Sequence, residues 1–368
     1  MKADIAIVGA GMAGASLAAE LAPHASILLL EAEDQPGYHS TGRSAAFWSE
    51  TYGGPGVQPL TTASGQFLAA PPPDFSERPF LTRTGAVHLA DEAGLPALEA
   101  MQAQFAGSGV ELLSLGRADL EDLVPGIRSH WRAGLREPSC ADIDVAALHA
   151  AYLRAARRAD VTLVTNAPLK GAERSGGGWR LETGAGSATA DILVNAAGAW
   201  ADPVAALAGA RPLGVQPYRR TVVQLRTTPA VPPALGLVED ILGRFYFKPE
   251  SGRLWLSPHD ETACDPCDCA PEELDIATAI DRFEGAVDWR VDRVERSWAG
   301  LRSFAPDRLP VYGFDPATAG FFWCAGQGGF GIQTAPAAAR MAAALLLGHE
   351  PSGPGAVDPA RYTPSRFG

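Results

Sequence analysis

Residues 4–31 constrain this chain more tightly than any other stretch. Asp4-Ile5-Ala6-Ile7-Val8 is a β-branched run that feeds straight into Gly9-Ala10-Gly11-Met12-Ala13-Gly14. Good helix formers fill 15–21, and a second apolar strand, Ile27-Leu28-Leu29-Leu30, stops at Glu31. Strand, glycine turn, helix, strand and acid in that order spell a dinucleotide-binding βαβ unit. Gly9 permits the tight turn, Gly11 lets backbone approach a pyrophosphate, and Gly14 lets the helix pack on the sheet. The helix N-terminus then offers N–H groups and the positive end of its dipole to phosphate. Glu31 stands where a carboxylate accepts from a ribose 2′-OH and repels a 2′-phosphate, which argues against NADP.

At 368 residues the chain has room for two domains, each with its own core. A net charge of −12 leaves no basic face for nucleic acid or an anionic membrane. No apolar run reaches the roughly 20 residues of a transmembrane segment. The first strand begins at Asp4, without room for a cleaved signal, so the expected compartment is the cytoplasm. Five cysteines, an odd number, do not make a disulfide framework. Cys264, Cys267 and Cys269 are spaced like soft-metal ligands, but they sit in a Pro- and Asp-rich loop without a fourth ligand, and no metal is expected.

Further along, helices are expected over 60–69, 93–105, 116–123, 145–158, 272–283 and 336–347, and strands over 81–89, 161–166, 219–225, 244–249 and 287–303. Glycine runs at 176–178 and 184–186 break 169–190 into a small antiparallel meander. Two more strands end in small residues. Asp191-Ile192-Leu193-Val194-Asn195 runs into Ala196-Ala197-Gly198, and Phe321-Phe322-Trp323-Cys324-Ala325 runs into Gly326-Gln327-Gly328-Gly329-Phe330-Gly331 ahead of a helix. A second turn that aims a helix N-terminus at a ligand is hard to explain with NAD alone. It suits FAD, with one dipole for the pyrophosphate and one for the flavin ring.

The run Pro36-Gly37-Tyr38-His39-Ser40-Thr41-Gly42-Arg43-Ser44-Ala45-Ala46, taken with Val194–Trp200, Trp298–Phe304 and Ala325–Gln333, resembles the FAD-dependent D-amino-acid oxidase family. Glycine and sarcosine oxidases belong to that family, and the narrower likeness is to bacterial dehydrogenases of the D-arginine dehydrogenase type. The resemblance covers residues 4–346. It implies an α/β fold with a discontinuous Rossmann-type FAD-binding domain, residues 1–46, 140–214 and 305–368. A mostly antiparallel-sheet substrate domain would take 47–139 and 215–304.

The same resemblance assigns FAD contacts to Gly9, Gly11, Ala13, Gly14, Glu31, Ala32, Ser40, Thr41, Gly42, Arg43, Ser44, Ala45, Ala46, Phe47, Ala172, Gly198, Gly328, Gly329, Phe330, Gly331, Ile332 and Gln333. Family relatives with covalent FAD use a cysteine after the pocket strand. Residues 302–310 contain none, so the cofactor is expected to be non-covalent.

A carboxylate substrate calls for arginines, because a guanidinium fork matches two oxygens. By family position these are Arg220 and Arg302, helped by Tyr52 and Tyr246, with the Gly329 carbonyl facing the substrate amine. The implied reaction is oxidative deamination of a D-amino acid to a 2-oxo acid and ammonia. The electron acceptor would be a quinone or oxygen. Relatives that oxidise D-arginine carry acids at the positions of Ala86 and Gly243, and the family's active-site histidine position is Phe47. The absence of acids at 86 and 243 points to a neutral or apolar side chain, with an acidic one left open by Arg83, His88 and Arg244 nearby, and Phe47 enlarges the apolar surface by the flavin. A secondary amine or a 2-hydroxy acid is the alternative substrate on the same fold.

Overall fold

A computed structural model describes residues 1–353 and 355–368. Two large sheets are assembled from interleaved stretches of chain, with a third of three short strands, Phe47–Trp48, Ala141–Ile143 and Leu81–Arg83. The first is built on Lys2–Val8, whose β-branched and small side chains are buried on both faces. That is the pattern of a central parallel strand covered on both sides. It pairs in parallel with Ile27–Leu30 on one edge and Gly186–Asn195 on the other. The far end of Gly186–Asn195 pairs in parallel with Phe321–Ala325, so strands from the start, middle and end of the chain lie side by side.

Helices Met12–Leu21, Val145–Arg158 and Gly331–Leu346 cover one face of this sheet over Ile5, Ile7, Leu29, Val194 and Phe322. The meander Leu169–Ser175 and Gly178–Thr183 continues into Gly186–Asn195 as expected.

The second sheet holds Arg290–Phe304, Gln216–Thr228, Arg253–Ser257, Tyr246–Glu250, Leu237–Asp240, Ala86–Ala90 and Ala133–Glu137 in that order. All pair antiparallel except Leu237–Asp240 with Ala86–Ala90. Alternation along each strand divides its side chains between two faces. Val87, Val223, Phe247 and Leu256 pack under helix Glu273–Ala286 with Phe283. Ala86, Val222 and Tyr246 pack on the opposite face with Phe47. The fold is therefore α/β, a discontinuous Rossmann-type unit with a mostly antiparallel second sheet. No helix is long and apolar enough to cross a membrane among the described residues.

Most expected elements shift at their ends by up to three residues, and two differ further. The run 81–89 is two strands, Leu81–Arg83 and Ala86–Ala90. Gly85 takes a φ of +73° between them, and the N–H groups of Thr84 and Gly85 turn to the Cys140 carbonyl. The last helix starts at Gly331, with Pro336 inside it. As the sixth residue of the helix, Pro336 has no N–H to give the Ile332 carbonyl, so one intrahelical bond is lost there.

Candidate active site

Between the two large sheets lies a cavity of about 380 Å³, walled by all three small-residue turns. The turns are built by close backbone contact. A Cβ on Gly9 would come within 2.4 Å of the Ala196 carbonyl oxygen, and one on Gly14 within 1.9 Å of the Gly9 carbonyl oxygen. Gly11 is different, because a Cβ there would meet only Thr41 Oγ1, at 3.4 Å, and otherwise open space.

Glu31 lines the cavity and braces the turn, accepting from Ala10 N at 2.9 Å and Glu33 N at 3.1 Å. Each carboxylate oxygen keeps a further lone pair for a ribose hydroxyl. Met12 N donates to Thr41 Oγ1, and buried His149 bonds the Ala10 carbonyl through Nε2 at 2.8 Å. A glycine turn, a helix start whose own N-cap residue makes no side-chain bond and a carboxylate on the same wall fit an adenosine diphosphate moiety.

Fifteen of the expected cofactor residues line this cavity: Gly9, Gly11, Ala13, Glu31, Ala32, Ser40, Thr41, Arg43, Ser44, Ala45, Gly198, Gly328, Gly329, Gly331 and Ile332. The others stand behind the wall. Gly14 and Gly42 shape their turns, while Ala46, Phe47 and Phe330 pack in the apolar clusters beneath. Ala172 lies in the meander opposite Leu181, buried in the core. Gln333 is 2% exposed, and its amide is fully used on Ser49 N and O, the Tyr52 carbonyl and Thr61 Oγ1. Its side chain grips the loop 49–52 rather than a cofactor. The Arg43 guanidinium ties its loop to the Cys269 and Ala299 carbonyls and to Asp268.

At one end of the cavity stand Arg220 and Arg302. Arg220 pairs with Gly300 and Tyr218 with Arg302 across neighbouring strands, so both arginines project from the same face. Arg220 is 3% exposed. Its Nε donates to the Asp260 carbonyl at 2.6 Å and its Nη2 to Glu261 at 3.1 Å, but Nη1 is buried with no partner. Arg302 donates to Tyr52 Oη at 3.0 Å and has no carboxylate within 4.0 Å among the described residues. Burial, then the neighbouring Arg302, lower the Arg220 pKa to about 10. Two adjacent guanidinium groups with donors to spare make an anion site.

The Tyr246 hydroxyl is also buried without a partner, and its ring lies 5.8 Å from that of Phe47. A Cβ on Gly329 would strike Tyr52 Oη at 2.0 Å, so the glycine lets the backbone reach the tyrosine. Arg219, next in sequence, points the opposite way into Asp275 and Glu272.

Several supporting residues escaped the sequence reading. His259 has a φ of +56°, and its Nδ1 bonds the Gly243 carbonyl at 2.9 Å. Burial, then Arg220 and Arg302, hold its pKa down to about 2, so the imidazole is neutral. Behind Tyr52, fully buried Glu137 accepts from Ser49 Oγ, Glu50 N and Thr51 Oγ1 at 2.9, 2.6 and 2.7 Å. His88 lies between Glu239, at 3.0 Å, and Glu137, at 3.7 Å. Burial opposes its charge, but Glu239 and Glu137 outweigh burial and raise its pKa to about 10.

A raised folded pKa stabilises the fold fully below the unfolded value of about 6.5 and loses that contribution as pH rises towards 10. The melting midpoint is therefore expected to fall across pH 6.5–10. His88→Gln should flatten that slope in a pH series of thermal melts, and an unchanged slope would exclude His88 as its source.

The family described as FAD dependent oxidoreductase, DAO, matches residues 4–345. The chain is 26% identical to hydrogen cyanide synthase subunit HcnC of Pseudomonas aeruginosa, over 99% of this chain and 96% of that one. It is 25% identical to glycine oxidase of Geobacillus kaustophilus, over 93% and 92% of the two chains. The crystal structure of that glycine oxidase superposes with a TM-score of 0.86, covering 99% of each chain. The L-proline dehydrogenase of P. horikoshii, 20% identical, shares the fold with a TM-score of 0.85 over 100% of this chain and 98% of that one. With its glycine turns converging on one cavity and the family match running from the first strand into the last helix, the chain belongs to the DAO family of FAD-dependent oxidoreductases.

Proposed function

We propose that this enzyme deaminates a D-amino acid oxidatively, giving the 2-oxo acid and ammonia. The observation that carries the reading is the pair Arg220 and Arg302, with spare donors at the end of a cavity built for a dinucleotide. In this reading Gly9, Gly11 and Glu31 hold the adenosine diphosphate part of a non-covalent FAD, and Gly328, Gly329 and Ile332 border its ring. FAD supplies a hydride acceptor for the substrate α-carbon. Arg220, Arg302 and the tyrosine hydroxyls of Tyr52 and Tyr246 hold the substrate carboxylate, which fixes where the α-hydrogen points. The Gly329 carbonyl accepts from the amine. Loss of hydride from carbon and a proton from nitrogen leaves an imine, and water converts it to the oxo acid and ammonia.

Phe47, Ala86 and Tyr246 pack with Val222 in a buried apolar cluster on the sheet face that carries Arg220, which supports a neutral side chain. The lack of an acid at Ala86 and Gly243 argues against a cationic side chain on the substrate. The electron acceptor is a quinone or oxygen, and the compartment we assign is the cytoplasm. A second reading is oxidation of a secondary amine or glycine. It is supported by the likeness to glycine oxidase and by 27% identity to rat mitochondrial dimethylglycine dehydrogenase, over 64% of this chain and 29% of that one.

Anaerobic titration with D-alanine, D-leucine, D-phenylalanine, D-glutamate, D-arginine, the L-enantiomers, glycine and sarcosine, following the flavin band, separates these readings. Bleaching by neutral D-amino acids but not by D-arginine or L-enantiomers is expected. A yellow protein bleached only by sarcosine or glycine would overturn the D-amino-acid assignment.

A further inference from the structure

We propose that Glu239 reads the substrate side chain by accepting a hydrogen bond from a neutral N–H donor, such as a carboxamide. The inference rests on the reading above and adds the residue that sets its substrate class. The argument starts from sheet register. Glu239 pairs with Tyr246 on one side and His88 on the other. Directly paired residues project from the same face with Cβ atoms about 5 Å apart. The face that carries Tyr246 towards the arginines therefore carries Glu239 one strand further out. A substrate held by its carboxylate at Arg220 and Arg302 must extend past Tyr246, beyond the residues that line the cavity, to reach Glu239.

The carboxylate is prepared for this. Its Oε1 is engaged by His88 Nδ1 at 3.0 Å, while Oε2 has no protein donor among the described residues, and 16% of the side chain remains exposed. Glu137, the other acid near His88, has no such freedom, because it is fully buried and already accepts three hydrogen bonds at short distance. His259 flanks Tyr246 with ring centroids 5.7 Å apart, and its Nδ1 is committed to Gly243.

Charge then decides what Glu239 takes. His88, protonated between two acids, offsets much of the charge on Glu239. A full cation gains little there and is repelled by Arg220 and Arg302 beyond Tyr246. A neutral N–H donor avoids that repulsion and still gains a charge-assisted bond, about twice the strength of a neutral one.

The test compares kcat/KM for D-glutamine, D-methionine and D-alanine in wild type and Glu239→Gln. Glutamine at 239 keeps an acceptor for His88 and turns the free atom from acceptor to donor. In wild type D-glutamine is expected to exceed its apolar near-isostere D-methionine about 10-fold. In Glu239→Gln that preference should vanish, with the ratio of D-glutamine to D-alanine falling about 10-fold. D-Alanine carries no side-chain N–H to offer residue 239, so it reports the core reaction. Ratios unaltered by the substitution, while D-alanine is still oxidised, would overturn the role of Glu239 and leave the reaction class standing. A protein that oxidises no D-amino acid would overturn both.

Discussion

Arg302→Met is expected to lower kcat/KM for an amino-acid substrate by about 100- to 1000-fold, the effect of deleting one partner of a buried charged hydrogen bond. Methionine keeps the apolar stem, and no carboxylate is left behind, since none lies within 4.0 Å of Arg302 among the described residues. Folding and cofactor content should therefore survive. The loss should appear mainly in KM, because carboxylate binding precedes the chemistry and is kept through it. Arg219→Met is the matched comparison. Its side chain leaves the same strand on the opposite face, into Asp275 and Glu272, and it should change kcat/KM less than about 3-fold. Steady-state kinetics on both variants check the prediction, and equal losses would remove the arginine pair from the substrate site.

The second large effect is expected from Gly14→Ala. The added Cβ would sit 1.9 Å from the Gly9 carbonyl oxygen and 3.3 Å from Ile7 Cγ2. The nearest of these is backbone, which a rotamer change cannot move, so helix Met12–Leu21 must lift off the strand. Destabilisation of roughly 4 kcal/mol or more and purification without the flavin band are expected. Gly11→Ala separates shape from stability. Its Cβ meets only Thr41 Oγ1 at 3.4 Å, so the fold should hold while FAD affinity falls, because the methyl enters the space a pyrophosphate needs. Thermal melts and fluorimetric FAD titration distinguish the two. An intact, fully loaded Gly14→Ala protein would mean the turn relaxes more easily than its contacts indicate.

What the sequence made legible is what is local. The turn at 9–14, the small residues after Asn195 and the turn at 326–331 each follow a strand, and glycine is required where backbones meet. Arg220 could be separated from Arg219 only by knowing which face of Gln216–Thr228 looks inward, which family position supplied. Gln333 and Ala172 show the limit of such transfer. Sequence position placed both near the cofactor, but the Gln333 amide is spent on the loop 49–52 and Ala172 is buried in the core.

The grouping of His88, Glu137 and Glu239 was invisible for another reason. Its members come from three strands far apart in sequence, and only sheet register brings them together. Each alone reads as an ordinary polar residue on a half-buried strand.

The convergence of beginning, middle and end on one cavity also sets a schedule for synthesis. Lys2–Val8 is made before its neighbour Gly186–Asn195, and Gly328 to Ile332, which close the cavity, follow later still. Pairings so distant in sequence are slow to form and leave strand edges open meanwhile. Cofactor capture is thus a late event on the nascent chain. A supply of free FAD would act as a trap for the finished fold, drawing the equilibrium towards it, and can do nothing for the partial chain that precedes it.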